Sequence, residues 1–204
     1  MMKIDYYFSV LSPFTYLAGA RLESLAQKHE LAIRYKPFDI MALFSKTGGL
    51  PPGKRHVSRQ RYRLAELSRI SQLNAMPIRL HPKFWPTDPV PASCSIINSL
   101  NSSGDTGLLV REILASCWAR DKDIAKIEVI RQCLSAAGFD PQLADADQSG
   151  ARETFFRNTR QAERDDVFGS PAYVLNGEVF WGQDRLDHLN AALDGRISTK
   201  AGRI

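Results

Sequence analysis

Ser12 stands where a side chain could do chemistry, in the stretch Tyr6-Tyr7-Phe8-Ser9-Val10-Leu11-Ser12-Pro13-Phe14-Thr15-Tyr16-Leu17. This reads as a buried strand, a tight turn and a helix with Ser12 as its N-cap and Pro13 as its first residue. A hydroxyl there lies among unpaired backbone N–H groups at the positive end of a helix, and it can help to hold an anion. A capping serine with no chemistry accounts for the same residues, so both readings stand on this segment alone. The other reactive types point elsewhere. Cys94, Cys117 and Cys133 are odd in number, widely spaced and embedded in apolar helical patterns, as reduced core residues are. His29, His56, His81 and His188 have neither the spacing nor the cysteine partners of a zinc site, so no metal is assigned. The basic residues Lys54, Arg55, Arg59, Arg61, Arg63 and Arg69 lack the stacked aromatics or reader motif of a nucleic-acid surface, and no nucleic-acid partner is expected.

The elements that must carry Ser12 follow from periodicity. Lys3 to Phe8 is a strand, and a helix with Ala18, Leu22, Leu25 and Ala26 inward is expected to end near Glu30. Leu31 to Lys36 is then a second strand, parallel to the first through a right-handed crossover. From Ile40 to about Asp166 the pattern holds helices and turns and no strand. Within it Ser58 is expected to cap a helix with Tyr62, Ala65, Ile70 and Leu73 inward. Further helices are expected at about Pro91 to Asn101, from Asp105 to Arg120, from Asp123 to Ala137 and from Ala151 to Arg164. Ala172 to Leu175 and Glu178 to Trp181 form a hairpin about Asn176-Gly177, and Asp184 caps a closing helix facing inward through Leu186, Leu189 and Leu193.

The order is therefore βαβ, a helical block, then ββα. The two ends pair through one mixed sheet, so the fold class is α/β, a thioredoxin-like sheet with an all-helical insertion, as in DsbA-like proteins. The boundaries are 1–39 plus 166–195 for the thioredoxin-like domain, 40–165 for the helical insertion domain and 196–204 for a flexible tail. At 204 residues with 44% apolar content a sizeable core is affordable, and a net charge of +5 is mild and favours small anions. No run of about 18 apolar residues occurs, and the chain enters a strand directly from Met1 without a secretory leader, so a cytoplasmic protein free of the membrane is expected.

Four motifs carry a family resemblance: the Tyr7 to Leu17 stretch, Tyr62-Arg63-Leu64-Ala65-Glu66-Leu67-Ser68-Arg69, Val167-Phe168-Gly169-Ser170-Pro171 and Trp181-Gly182-Gln183-Asp184-Arg185-Leu186. In this order they resemble the 2-hydroxychromene-2-carboxylate isomerases and their relatives, the kappa-class glutathione transferases, over nearly the whole chain. Related disulfide oxidoreductases carry a Cys-x-x-Cys motif where this chain reads Ser12-Pro13-Phe14-Thr15, and without sulfur at either end no dithiol can be cycled there. The resemblance implies that the thiol comes with glutathione as cofactor, and that the Ser12 hydroxyl donates to its sulfur. It implies a cis bond at Ser170-Pro171, with the Ser170 main chain pairing with the cysteinyl part of glutathione. It also implies that Gln183 and Asp184 receive the γ-glutamyl end, and that Arg59 reaches the glycyl carboxylate. Arg59 stands where the family commonly has lysine, and Gly48-Gly49 where relatives often have an asparagine. The partner implied is a small aromatic carboxylate substrate, turned over by isomerisation or by a transferase or peroxidase outcome at the same site, in a homodimer. Phe84 and Trp85 are candidate walls for that substrate.

Overall fold

The computed structural model describes residues 2–198; the expected tail at 196–204 lies outside the described residues from 199 onward. Lys3–Phe8 (β1) is buried at every position but the first, as a strand covered on both faces must be. Its side chains alternate, so Tyr6 and Phe8 enter one core and Tyr7 the other. Pro13–Ala18 (α1) and Arg21–Lys28 (α2) lead to Ala32–Pro37 (β2), parallel to β1 with Tyr6 opposite Tyr35. The single helix expected from Pro13 to near Glu30 is thus two. Gly19 breaks it, at a φ of 60° that a residue without Cβ adopts readily, and its N–H ends α1 on the Tyr16 carbonyl at 3.1 Å.

Helices follow at Ile40–Thr47 (α3), Val57–Leu73 (α4), Val90–Ser99 (α5), Thr106–Trp118 (α6), Ile127–Ala136 (α7) and Ser149–Arg164 (α8), and no strand interrupts them. Ala172–Leu175 (β3) and Glu178–Trp181 (β4) complete a sheet of order β2-β1-β3-β4, and Leu186–Leu193 (α9) closes the described fold. β3 runs antiparallel to β1 with Tyr173 opposite Tyr6, and these rings stack at 5.5 Å. Asn176 and Gly177 both have positive φ, the backbone that a two-residue hairpin turn demands.

Three helix starts differ from expectation. His56, not Ser58, caps α4, its Nδ1 accepting the Ser58 N–H at 3.3 Å. α7 begins behind Lys126, because Asp123 spends its carboxylate on the Ala125 N–H and on Thr87 Oγ1. α9 begins behind Arg185, and Asp184 makes no cap: its carboxylate lies 3.0 Å from Arg185 Nη2. α4 is also rotated from the expected face. Leu67 and Ile70 are buried, whereas Tyr62 is 63% and Leu73 85% exposed, because the Leu67/Ile70 spacing sets the face that packs toward α1.

The larger core joins Tyr6, Phe8 and Tyr173 of the sheet to Leu109, Trp118 and Leu134 of the helical block; the smaller, on the sheet's other face, joins Tyr7, Phe38 and Leu43 to Ala162. A half-buried polar tie lies at the edge of the first core. Tyr35 donates to Glu23 at 3.1 Å, Arg111 of α6 lies 3.5 Å from the same carboxylate, and burial holds the Glu23 carboxyl above its usual range. No described helix is long and apolar enough to cross a membrane.

Two of the three thiols, Cys117 and Cys133, belong to the larger core. Cys94, Cys117 and Cys133 are free and buried, and burial raises all three, Cys117 to about 12. A thiol-specific reagent at pH 8 is therefore expected to react with them at least about a hundredfold more slowly in the native protein than in denaturant. A fast-reacting native thiol would contradict this packing and restore a redox role.

Candidate functional site

The turn after β1 fixes Ser12 from several sides. Its N–H donates to the Ser9 carbonyl at 3.0 Å, and its extended backbone (φ −89°, ψ 119°) points the hydroxyl over the first turn of α1. There Oγ accepts the Thr15 N–H at 3.2 Å and donates its proton to the Ser170 carbonyl at 3.1 Å. Ser170 is held in turn: its hydroxyl accepts the Ser9 N–H at 2.8 Å and lies 2.8 Å from Thr15 Oγ1. The Ser170–Pro171 bond is cis. Pro13 has no N–H, and those of Thr15 and Tyr16 go to Ser12, so the Phe14 N–H is the one this turn leaves over among the described residues.

Ser12 opens into a cleft with two lobes. The apolar lobe is walled by Leu11, Phe14, Phe44, Trp85 and Trp181 and encloses about 600 Å³ of space, part of it open to solvent. The polar lobe is lined by Arg59, Glu66, Gln183, Asp184 and Arg185, and the two share Phe14, Arg55, Arg63, Ser170 and Trp181. No cysteine or histidine lines either. Trp85 is fixed by donating its Nε1–H to the Leu11 carbonyl at 2.9 Å and by packing on Trp118 at 5.4 Å. Trp181 lies edge-on to Phe168 at 4.7 Å, and Gly169 is required beside it because a Cβ there would collide with the indole.

The six residues singled out in the sequence do not all contribute alike. Ser12 and Ser170 touch. Pro171 is buried behind them, and its carbonyl accepts the Gly182 N–H at 2.8 Å, which anchors the Gly182-Gln183-Asp184 run at the cleft edge. Gly182 has φ +111°, and a Cβ on it would lie 2.6 Å from Asp184 Oδ1. The Gln183 side chain is turned inward, its Oε1 taken by Arg21. The main-chain N–H groups of Ser170, Gln183 and Asp184 make no hydrogen bond among the described residues, so they remain donors for a ligand. Arg59, on the first turn of α4, faces the polar lobe with no carboxylate within 4.0 Å among the described residues. Of the two proposed aromatic walls, Trp85 lines the apolar lobe, whereas Phe84 is 38% exposed and lies outside it.

Phe14, Arg55, Arg63 and Trp181 are site residues that sequence reasoning did not single out. For Arg63 a signal existed. Positions 63, 67 and 70 fall on one helical face, so the buried pair Leu67 and Ile70 carries Arg63 inward with them, where an arginine among several on a basic helix reads as solvated.

Comparison with known proteins agrees with this geometry. The family described as the DSBA-like thioredoxin domain matches residues 3–194. The chain is 30% identical over 193 residues to the 2-hydroxychromene-2-carboxylate isomerase of Sphingobium xenophagum, covering 93% of this chain and 97% of the relative. It is 25% identical over 216 aligned positions to glutathione S-transferase kappa 1 of Caenorhabditis elegans, covering 94% and 90%. The solved structure of a 2-hydroxychromene-2-carboxylate isomerase superposes with a TM-score of 0.75 at 28% identity, over 96% of this chain and 95% of the other. The match extends from β1 through the helical block to α9, and with it the chain belongs to the DsbA-like thioredoxin-domain family, in the group of the 2-hydroxychromene-2-carboxylate isomerases.

Proposed function

We propose that the protein is a glutathione-dependent isomerase that converts 2-hydroxychromene-2-carboxylate to trans-o-hydroxybenzylidenepyruvate, a step in the breakdown of aromatic hydrocarbons. The observation that carries this reading is a hydroxyl, Ser12, that lines an aromatic-walled lobe and is hydrogen-bonded to Ser170, which that lobe shares with a polar lobe of cationic and N–H donors, and no cysteine lines either lobe. The named isomerase relatives support the reaction, and the kappa-class relative supports the cofactor.

The polar lobe fits an extended tripeptide with a carboxylate at each end. Arg59 suits the glycyl carboxylate, the Ser170 main chain the cysteinyl residue, the free N–H groups of Gln183 and Asp184 the γ-glutamyl carboxylate, and the Asp184 side chain its ammonium. Glutathione, when bound, supplies the thiolate that adds reversibly to the conjugated substrate and departs once the double bond has isomerised. The Ser12 proton then leaves the Ser170 carbonyl for the sulfur, an exchange of a 3.1 Å neutral hydrogen bond for a charge-assisted one. The Trp85 and Trp181 walls exclude water and hold the substrate ring against that sulfur.

Ser12→Ala is expected to lower turnover by about tenfold to a few hundredfold, because one hydrogen bond to a charged acceptor contributes roughly 1.5 to 3 kcal/mol. The lost cap should cost folding only about 1 kcal/mol. Unchanged turnover would remove the role of Ser12. The reaction itself is tested by supplying glutathione well below the chromene carboxylate concentration and titrating free thiol at the end. Many turnovers per glutathione with no thiol lost are expected. Loss into a conjugate would make the protein a transferase, loss into disulfide a peroxidase, and full activity without glutathione would overturn the cofactor.

A further inference from the structure

Among the arginines of the cleft, Arg63 has a setting that no role so far explains. It is half-buried on the inward face of α4, yet it makes no hydrogen bond and has no carboxylate within 4.0 Å among the described residues. Arg21, Arg34, Arg111, Arg120 and Arg131 all have side-chain oxygen partners. The contacts that hold Arg63 are aromatic: its guanidinium lies 5.4 Å from the Trp85 ring and 5.9 Å from that of Trp118. Burial, helped by the nearby Arg55, lowers its pKa to about 10, which leaves it cationic at neutral pH. A charge withdrawn from water without a counter-charge is costly, and proteins keep such a group where a ligand completes it.

The geometry of the lobes says which ligand. The polar lobe already has Arg59 and the free N–H groups for two carboxylates, so it needs no second guanidinium. Arg63 lines both lobes, but Trp85 lines only the apolar one, and a guanidinium 5.4 Å from that ring sits beside the apolar lobe. Arg55, the neighbouring cation, is already donating to the Leu50 carbonyl at 2.7 Å and lies by the Phe44 ring. Of the acids at the cleft edge, Asp184 lies 3.0 Å from Arg185 and Glu66 3.5 Å from Arg69, and neither forms an ion pair with Arg63.

We infer that Arg63 is the carboxylate-recognising residue of the apolar lobe, and that it selects planar aromatic carboxylates over neutral aromatics of the same shape. With the ring between Phe14, Phe44 and Trp181 and the carboxylate on Arg63, the substrate is oriented toward Ser12. The identity of the substrate rests on the isomerase reading above; the preference for an aromatic anion does not.

Calorimetric titration with 2-naphthoate and with 2-naphthamide tests the anion preference without any turnover. The wild-type protein is expected to bind the carboxylate about ten- to a hundredfold more tightly than the amide. Arg63→Met should abolish that ratio without lowering Tm, since it replaces an unpaired buried charge by an apolar side chain of similar reach. Arg63→Lys should keep a reduced ratio, and Arg59→Gln should keep all of it. A ratio near one in the wild type, binding of neither probe, or a ratio that survives Arg63→Met or disappears with Arg59→Gln would each overturn the inference. Chromene turnover separates the two proposals. If the wild type isomerises the chromene, Arg63→Met should raise its KM about tenfold or more and leave the KM for glutathione within about threefold. If it does not, the isomerase reading fails while the naphthoate ratio still decides the role of Arg63.

Discussion

The hydrogen bond from Ser12 Oγ to the Ser170 carbonyl joins residues 158 positions apart, and the site exists only because the sheet brings them together. β1 ends in the Ser12 turn and the segment carrying Ser170 opens β3, and these strands are antiparallel neighbours, Tyr7 opposite Ala172. The Ser170 hydroxyl ties the same two segments again through Ser9 and Thr15. Each of these groups is polar and close to the core, so leaving any one unpaired would cost about 1 to 3 kcal/mol. That penalty holds the turn, the first turn of α1 and the Pro171 segment in one arrangement. It also leaves the Ser12 proton on a neutral acceptor at 3.1 Å, where a better acceptor can claim it.

The helix behind Ser12 contributes less than a long one would. α1 has six residues before Gly19 ends it, so few aligned peptide dipoles stand behind its N-terminus. Lowering a thiol from about 8.5 by roughly two units requires about 2 to 3 kcal/mol of preference for the thiolate. A charge-assisted hydrogen bond from the hydroxyl is of that size, with the Phe14 N–H adding to it. On the proposed reading Ser12 supplies most of that preference, and no histidine stands in the cleft lining to share it.

The parts of the fold legible in the sequence were those written in local chemistry. The aromatic run of β1, the alternation in β2, the Asn176-Gly177 turn and the Asp105 cap of α6 each follow from residues within a few positions. So does the N-cap role of Ser12. What escaped depends on distant partners. Asp184 looks like a cap until Arg185 takes its carboxylate, and nothing near Gln183 in the sequence shows that Arg21 holds its side chain inward. Arg63 reads as a solvated residue because the rings that hold it, Trp85 and Trp118, come from a proline-rich connection and from the end of α6. Apolar residue type alone places Tyr62 and Leu73 inward, but the Leu67/Ile70 register sets the buried face of α4 and carries Arg63 with it.

On the proposed reading a serine hydroxyl, not a protein thiol or a base, makes glutathione reactive here. The direct measurement is the thiolate absorbance of bound glutathione near 240 nm, followed across pH in the wild-type protein and in Ser12→Ala. The thiol pKa in the wild type is expected about two units below the free value near 8.5, with most of that shift lost in the variant. A bound thiol that titrates like free glutathione in the wild type, or one whose lowered pKa persists in Ser12→Ala, would contradict it.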